Sequence, residues 1–254
     1  MDNIPEHLQT HIDIINVNRK GKSKNAFMIC KQIIKHITKN TKYKITKDNL
    51  IKTQEEITDK HILNSKKPNN LLHFKGNIID NISQNQTYNI FGKNIILQID
   101  GNELVIPIIE TNENNLSYFN VKLCKIGDVI EINTPNDIFL TKTSVGNKYI
   151  DDYLLQKNLG DGCYIEKHDN YHYHQPLNKD CKGYYLLSNQ KNNIFEIGAF
   201  SIPYGYSILT PSFVWHADSF LIGDYLVAYG LTDNYTTCNI YDKKNDIVNI
   251  LIKK

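Results

Sequence analysis

The sequence predicts a mainly β protein, an antiparallel sandwich or barrel preceded by a small N-terminal helical segment. Three observations carry this expectation. From about residue 71 onward, short apolar runs alternate with turn residues, and no helical segment lies between them. Turn signals such as Asp100-Gly101, Gly127-Asp128 and Gly223-Asp224 punctuate these runs. Ahead of them, a single apolar stripe recurs at helical spacing.

That stripe lies in "SKNAFMICKQIIKHITKN", where Ala26, Ile29, Cys30, Ile33, Ile34 and Ile37 fall on one side of an otherwise polar helix. Ser23 suits its N-cap, and Lys35, His36 and Lys39 suit the negative end of its dipole. A second, weaker helix is expected within "KDNLIKTQEEITDKHILN". The polar, proline-containing "NSKKPNN" (Asn64 to Asn70) then marks a boundary between a helical extension, 1–70, and a β domain, 71–254. The domain's expected strands begin with "LLHFKGNIID", "YNIFGKNIILQID", "ELVIPIIE", "SYFNVKLC", "DVIEIN" and "DIFLTKT". They continue with "GYYLLSN", "NIFEIGAFSI", "YSILTPS", "DYLVAYGL", "CNIYD" and "IVNILIKK".

Composition narrows the function classes. With 29 Lys+Arg against 27 Asp+Glu, the net charge of +2 is too balanced for a nucleic-acid or anionic-membrane partner, which leaves small molecules or proteins. Five cysteines at irregular spacing, with no C-x-x-C, argue against both a disulfide framework and a thiolate zinc knuckle. The opening "MDNIPEHLQTHIDIIN" has early acids and no apolar core of a signal peptide, and no apolar run is long enough to span a bilayer. The sequons at Asn81, Asn85, Asn115 and Asn234 follow from an abundance of asparagine. The chain is therefore read as cytoplasmic.

The chemistry concentrates in "HDNYHYHQPL". Read as one extended strand, "CYIEKHDNYHYH" places Glu166, His168, Asn170, His172 and His174 on one face, with Tyr171 and Tyr173 on the other. His172 and His174 are then same-face neighbours about 7 Å apart, able to offer two imidazoles to one ion. Neutral imidazole suits iron, zinc, copper and nickel. A third ligand is available in "YSILTPSFVWHADSF", where Pro211 marks a strand end or kink just before Trp215-His216. His168 stays open between ligand, supporting donor and surface residue. His11, His36, His61 and His73 are read as surface or hydrogen-bonded core histidines, and Cys163 and Cys181 as packing residues.

These segments resemble the cupin superfamily. Its first motif combines a glycine, His-x-His and usually a glutamate, and its second places a proline-containing turn shortly before a single histidine. "HYH" (His172 to His174) followed by "GYYLLSN" is similar to the first, and "ILTPSFVWHAD" (Ile208 to Asp218) to the second. The likeness covers roughly 162–230. It implies a double-stranded β-helix, or jelly-roll, barrel with His172, His174 and His216 as ligands to a divalent transition metal (Fe, Mn, Zn or Ni). Strands 71–143 would form a preceding half-barrel or a second, bicupin-like unit. The motif glycine falls at Gly162, which matches the spacing to His168 rather than to His172. The usual ligand glutamate has no counterpart, and Asp180, Glu166 or His168 are the candidates for its place.

The function implied is a metal-dependent cupin-type enzyme, a dioxygenase or isomerase, acting on a small molecule. Glu166 is the expected general base, because it shares the ligand face and a desolvated carboxylate holds its proton more tightly. The alternatives are a non-catalytic ligand-binding or regulatory module and a metal-free sugar-nucleotide epimerase or isomerase. The resemblance also implies a homodimer, formed by edge-to-edge pairing of sheets.

Overall fold

The computed structural model describes residues 17–58, 65–80, 95–230, 232 and 234–254. The N-terminal 16 residues, the end of the second expected helix and the start of the strand expected at Tyr88 lie outside the described residues. In chain order, β1 (Asn18–Lys20) and the long β2 (Phe27–Ile37) precede a small hairpin, β3 (Thr41–Ile45) and β4 (Leu50–Lys52). β5 (Leu72–Asp80), β6 (Ile95–Ile99) and β7 (Glu103–Ile109) lead to a short helix, α1 (Glu113–Ser117). Then come β8 (Lys122–Lys125), β9 (Val129–Ile132), β10 (Ile138–Val145) and a single wide helical turn at Ile150–Leu154. β11 (Tyr164–His168), β12 (His172–Pro176), β13 (Lys182–Gly183), β14 (Tyr185–Lys191) and β15 (Ile194–Phe200) follow. β16 (Tyr206–Thr210), β17 (Trp215–Ala217), β18 (Leu221–Tyr229), β19 (Tyr235–Asp242) and β20 (Asn249–Lys253) complete the chain.

The mainly β expectation holds, and the sheets are mixed. Seven strands, β14-β17-β11-β19-β6-β5-β15, form a closed barrel, because β15 pairs with β14 as well as with β5. The pairs β19–β6, β15–β7 and β7–β20 are parallel. A second sheet runs β1-β2-β10-β18-β12-β16-β8, and a small third sheet runs β4-β3-β9. Strands from before residue 143 are distributed through all three sheets and form no separate unit.

Apolar packing explains the layering. Met28 and Val145 of the second sheet pack with Ile165, Phe195, Trp215 and Ile240 of the barrel. Ile208, Leu221 and Val227 pack with Tyr185, Leu187 and Phe200 in the same way. On its other face the second sheet is covered by the small one, where Ile37, Leu140, Tyr173 and Leu226 meet Tyr43, Ile45 and Ile130. A sheet buried on both faces reads as a continuous apolar run, as "IFL" does at the start of β10. Among the described residues no helix is long and apolar enough to cross a membrane. None of the five cysteines is bonded to another.

The helix expected over Ala26–Ile37 is instead strand β2, which pairs antiparallel with β10. The register explains the misreading. Leu140 faces Lys35 while Thr141 faces Ile33, and Lys142 faces Gln32 while Thr143 faces Cys30. Ile34 and Lys31 are thus extra residues in two bulges, and each bulge resets the in/out alternation. Two resets within one strand leave apolar positions three and four apart, which imitates a helical stripe. Because β10 lies beyond residue 70, this part of the first segment is paired into the sheets of the rest of the chain.

Candidate metal centre

Two chain crossings build the site. The chain leaves the barrel at His168, the last residue of β11, and enters the second sheet at His172, the first of β12. Further on it leaves β16 in the second sheet at Thr210 and returns to the barrel in β17, which carries His216. The crossings lie side by side, since His172 is the register partner of Thr210. The Phe213 N–H donates to the His168 carbonyl at 2.6 Å, and the Ser212 hydroxyl donates to the Asp169 carbonyl. Phe213 holds φ at 62°, the left-handed conformation that lets the return loop turn tightly. Beneath the first crossing, Asn170 accepts from Thr134 Oγ1 at 2.8 Å and Asn136 Nδ2 at 3.1 Å, and Asp169 accepts from Thr232 Oγ1 at 2.6 Å.

The result is a cluster of His168, His172 and His216, each offering a ring nitrogen within 4.8 Å of the others. Ring centroids are 4.4 Å apart for His168 and His172, 5.1 Å for His168 and His216, and 4.8 Å for His172 and His216. All three side chains are buried. Both ring nitrogens of His168, Nδ1 of His172 and Nε2 of His216 are buried with no hydrogen-bond partner among the described residues. Buried polar atoms are ordinarily satisfied, so three residues that each bring such an orphan to one cluster mark a place for a ligand. His216 Nδ1 lies 2.8 Å from the Val214 carbonyl, which can only accept, so Nε2 carries the lone pair. Such a bond fixes the tautomer of a metal-binding histidine.

Electrostatics keeps the rings ready for an ion. Burial lowers the pKa of His168 to about 4, with the neighbouring His216 adding to the effect. Burial likewise brings His216 to about 4, against the opposing bond to Val214. His172, buried among three other imidazoles, falls well below its ordinary value. All three are neutral near pH 7, the form that ligates a metal.

Of the residues predicted as ligands, the structure brings His172 and His216 together with His168, while His174, its ring 5.4 Å from that of His172, is not in that group of three. His174 shares the inward face of β12 but sits one step farther on, its Nε2 3.3 Å from Asp218 Oδ2 and its ring 4.8 Å from that of Tyr185. His168 completes the cluster instead. The alternation drawn from Glu166 to His174 does not run unbroken, because the chain changes sheets between His168 and His172. The Gly162-to-His168 spacing is the sequence signal that pointed to it. Asp180 is exposed on a loop. His36 and His73 lie against carboxylates, the first with Nε2 2.7 Å from Asp137 Oδ1 and the second with Nδ1 3.7 Å from Glu196 Oε1.

Glu166, the expected base, lines a cavity of about 110 Å³ together with His168, His172, Asp218, Arg19 and Tyr229. Its Oε1 is 3.7 Å from His216 Nε2, and its Oε2 accepts from Thr237 Oγ1 at 3.3 Å. Burial raises its pKa, against the opposing pull of His168. Asp218 moves the other way: burial pushes its pKa up, but the bond from His174 and nearby positive charge outweigh it. Arg19 escaped the sequence reading as a site residue, and Asp218 entered it only within "ILTPSFVWHAD".

Comparison with known proteins adds no relative: no family model matches the chain, and no curated protein or solved structure matches it significantly.

Proposed function

We propose that this chain is a metal-dependent enzyme of the cupin type acting on a small molecule, with a divalent transition ion held by His168, His172 and His216. The observation that carries the reading is the convergence of three buried, neutral imidazoles, each with a ring nitrogen that has no hydrogen-bond partner among the described residues. The closed barrel, and a proline-containing turn running directly into the strand of His216, support the cupin assignment. An Fe, Mn, Zn or Ni ion bound there would polarise a carbonyl or activate dioxygen, the chemistry of isomerase and dioxygenase types respectively.

The chain's own residues supply the rest. Val214 fixes the tautomer of His216, and Tyr185, its ring 4.8 Å from His174 and 5.8 Å from His216, fills the space behind both. Glu166 faces the cavity beside His216 and is the group placed to take a proton from a bound substrate. The cavity falls below the ~300 Å³ at which drug-sized pockets begin, so the substrate is small. A cytoplasmic homodimer with no nucleic-acid or membrane partner completes the proposal, supported by the unpaired cysteines and the near-balanced charge.

The test is metal analysis of protein purified without chelators. About one equivalent of a transition metal per chain, lost on His168→Ala or His216→Ala, is the expected result; below about one-tenth equivalent of every such metal rejects the reading. The metal-free epimerase alternative draws on the His174–Asp218 pair. It requires that His174→Ala abolish turnover in a protein that never held an ion.

A further inference from the structure

Arg19 is the only arginine in a chain with 29 basic residues, all the others being lysine. It does not lie on the surface where lysines gather. Strand β1 pairs Arg19 with Met28 of β2, and this carries the guanidinium into the wall of the same cavity that His168, His172 and Glu166 line. Two hydroxyls hold it there, with Nη1 3.3 Å from both the Tyr149 and the Tyr164 oxygens. Tyr164 in turn donates to Asp218 Oδ1 at 3.3 Å, so the guanidinium is oriented by a chain of polar groups that ends at the His174–Asp218 pair. A planar, permanently charged fork on a braced mount differs from a lysine in what it recognises: it matches the two oxygens of a carboxylate.

The charges around the cavity point the same way. Among the described residues its lining carries one guanidinium, the carboxylates of Glu166 and Asp218, and two histidines that are neutral as metal ligands. Adding a divalent ion leaves one positive charge in excess, even with both carboxylates counted as ionised, and protonating either enlarges the excess. Charge buried in a confined cavity is costly unless paired, so the loaded site calls for one negative charge from its occupant. The remaining wall sets apolar and aromatic side chains, Val17, Met28, Val227 and Tyr229 among them, beside the threonines Thr143, Thr232 and Thr237. From these features, and resting on the metal reading above, we infer that the substrate is a small organic monoanion whose carboxylate is held by Arg19, with a short apolar body lying between Arg19 and the histidine cluster.

The experiment uses the full chain loaded with Co(II), whose visible absorption reports occupancy of the histidine cluster. Butyrate and its uncharged isostere butyramide are titrated in calorimetrically. The wild-type protein is expected to bind butyrate at least about tenfold more tightly than butyramide. Arg19→Met is expected to erase that preference, and Arg19→Lys to retain part of it, both with the Co(II) spectrum and stoichiometry of the wild type. Equal affinity for the two probes in the wild type, or no binding of either, overturns the inference while leaving the metal reading intact. So does an Arg19→Met protein that loads Co(II) and still prefers butyrate, since the anion would then be recognised by the ion alone. A wild-type protein that takes up no Co(II) overturns the metal reading, and this one falls with it. Should Arg19→Met fail to fold, the wild-type comparison and Arg19→Lys still decide.

Discussion

Glu166 on β11 is the cross-strand partner of His216 on β17, and its Oε1 lies 3.7 Å from the His216 Nε2. Directly opposed residues in an antiparallel pair share a face, and residues two apart on one strand share it too. Glu166, His168 and His216 therefore come from the barrel side as one unit, Glu166 and His168 lining the cavity, and His172 meets them from the second sheet. The carboxylate's position next to the cluster follows from strand register and owes nothing to loop conformation.

Ligand substitutions separate the cluster from its neighbour. His168→Ala and His216→Ala each remove one of three converging nitrogens and are expected to weaken metal binding by at least about a hundredfold. His174→Ala removes the partner of Asp218 and none of the three clustered nitrogens, and it is expected to retain close to the parental metal content. Elemental analysis of the three variants, purified side by side, makes the comparison. A His174→Ala protein that loses its metal while His168→Ala keeps it would reverse the assignment.

Acid is expected to destabilise the metal-free fold in a defined window. His168 and His216 titrate near 6.5 in the unfolded chain and at about 4 when folded. Above about pH 6.5 both states are neutral, and no proton is exchanged on unfolding. As the pH falls from there towards 4, the unfolded chain binds protons that the folded chain refuses, so stability drops, and the share of the loss due to these two residues levels off below 4. The fall is on the order of a few kcal/mol, read by urea denaturation of chelator-treated protein across that range. The double variant His168→Ala/His216→Ala should flatten the slope. Bound metal would also be released as protons compete for the same nitrogens.

The brace under the first crossing is expected to govern both stability and metal binding. Asn170 is 1 % exposed and accepts from Thr134 and Asn136. Asn170→Ala strands those donors, at a cost of about 1–3 kcal/mol. Because it frees the link between His168 and His172, it should also weaken metal binding by about tenfold or more. Thermal melting and a competitive chelator titration measure the two effects.

Phe213 offers a stabilising change. It holds a left-handed backbone at φ 62° with its side chain 54 % exposed. Glycine meets no steric penalty in that conformation and would forfeit little packing there. Relief of about 1–2 kcal/mol, offset by glycine's freedom in the unfolded chain, should leave Phe213→Gly more stable by about 0.5–1 kcal/mol. A lower melting temperature would show instead that the ring packs usefully.

The β class was legible because turn residues and short apolar runs are local signals, as in "NIFEIGAFSI" and the strand it became, β15. Local patterns were blind to pairing partners. The two bulges of β2 exist only against β10, a hundred residues away, so its sequence alone read as a helix. His172 and His216 were legible from motif spacing. His168 was not chosen, because strict alternation was carried across Asp169–Tyr171, where the chain changes sheets and the facing rule starts afresh. Arg19 had no local signature at all. Its place in the cavity comes from β1 pairing with β2, an event invisible in "VNRKGK".

The four-residue step from His168 to His172 has a mechanical side. One imidazole belongs to the closed barrel and the other to the sheet stacked on it, with His216 returning from the second to the first. An ion shared among them would act as a rivet through both layers. Its binding energy would then oppose any parting of the layers, so that chelation should quicken proteolysis and amide exchange at β12 and β17 well before the outlying β20 feels the change.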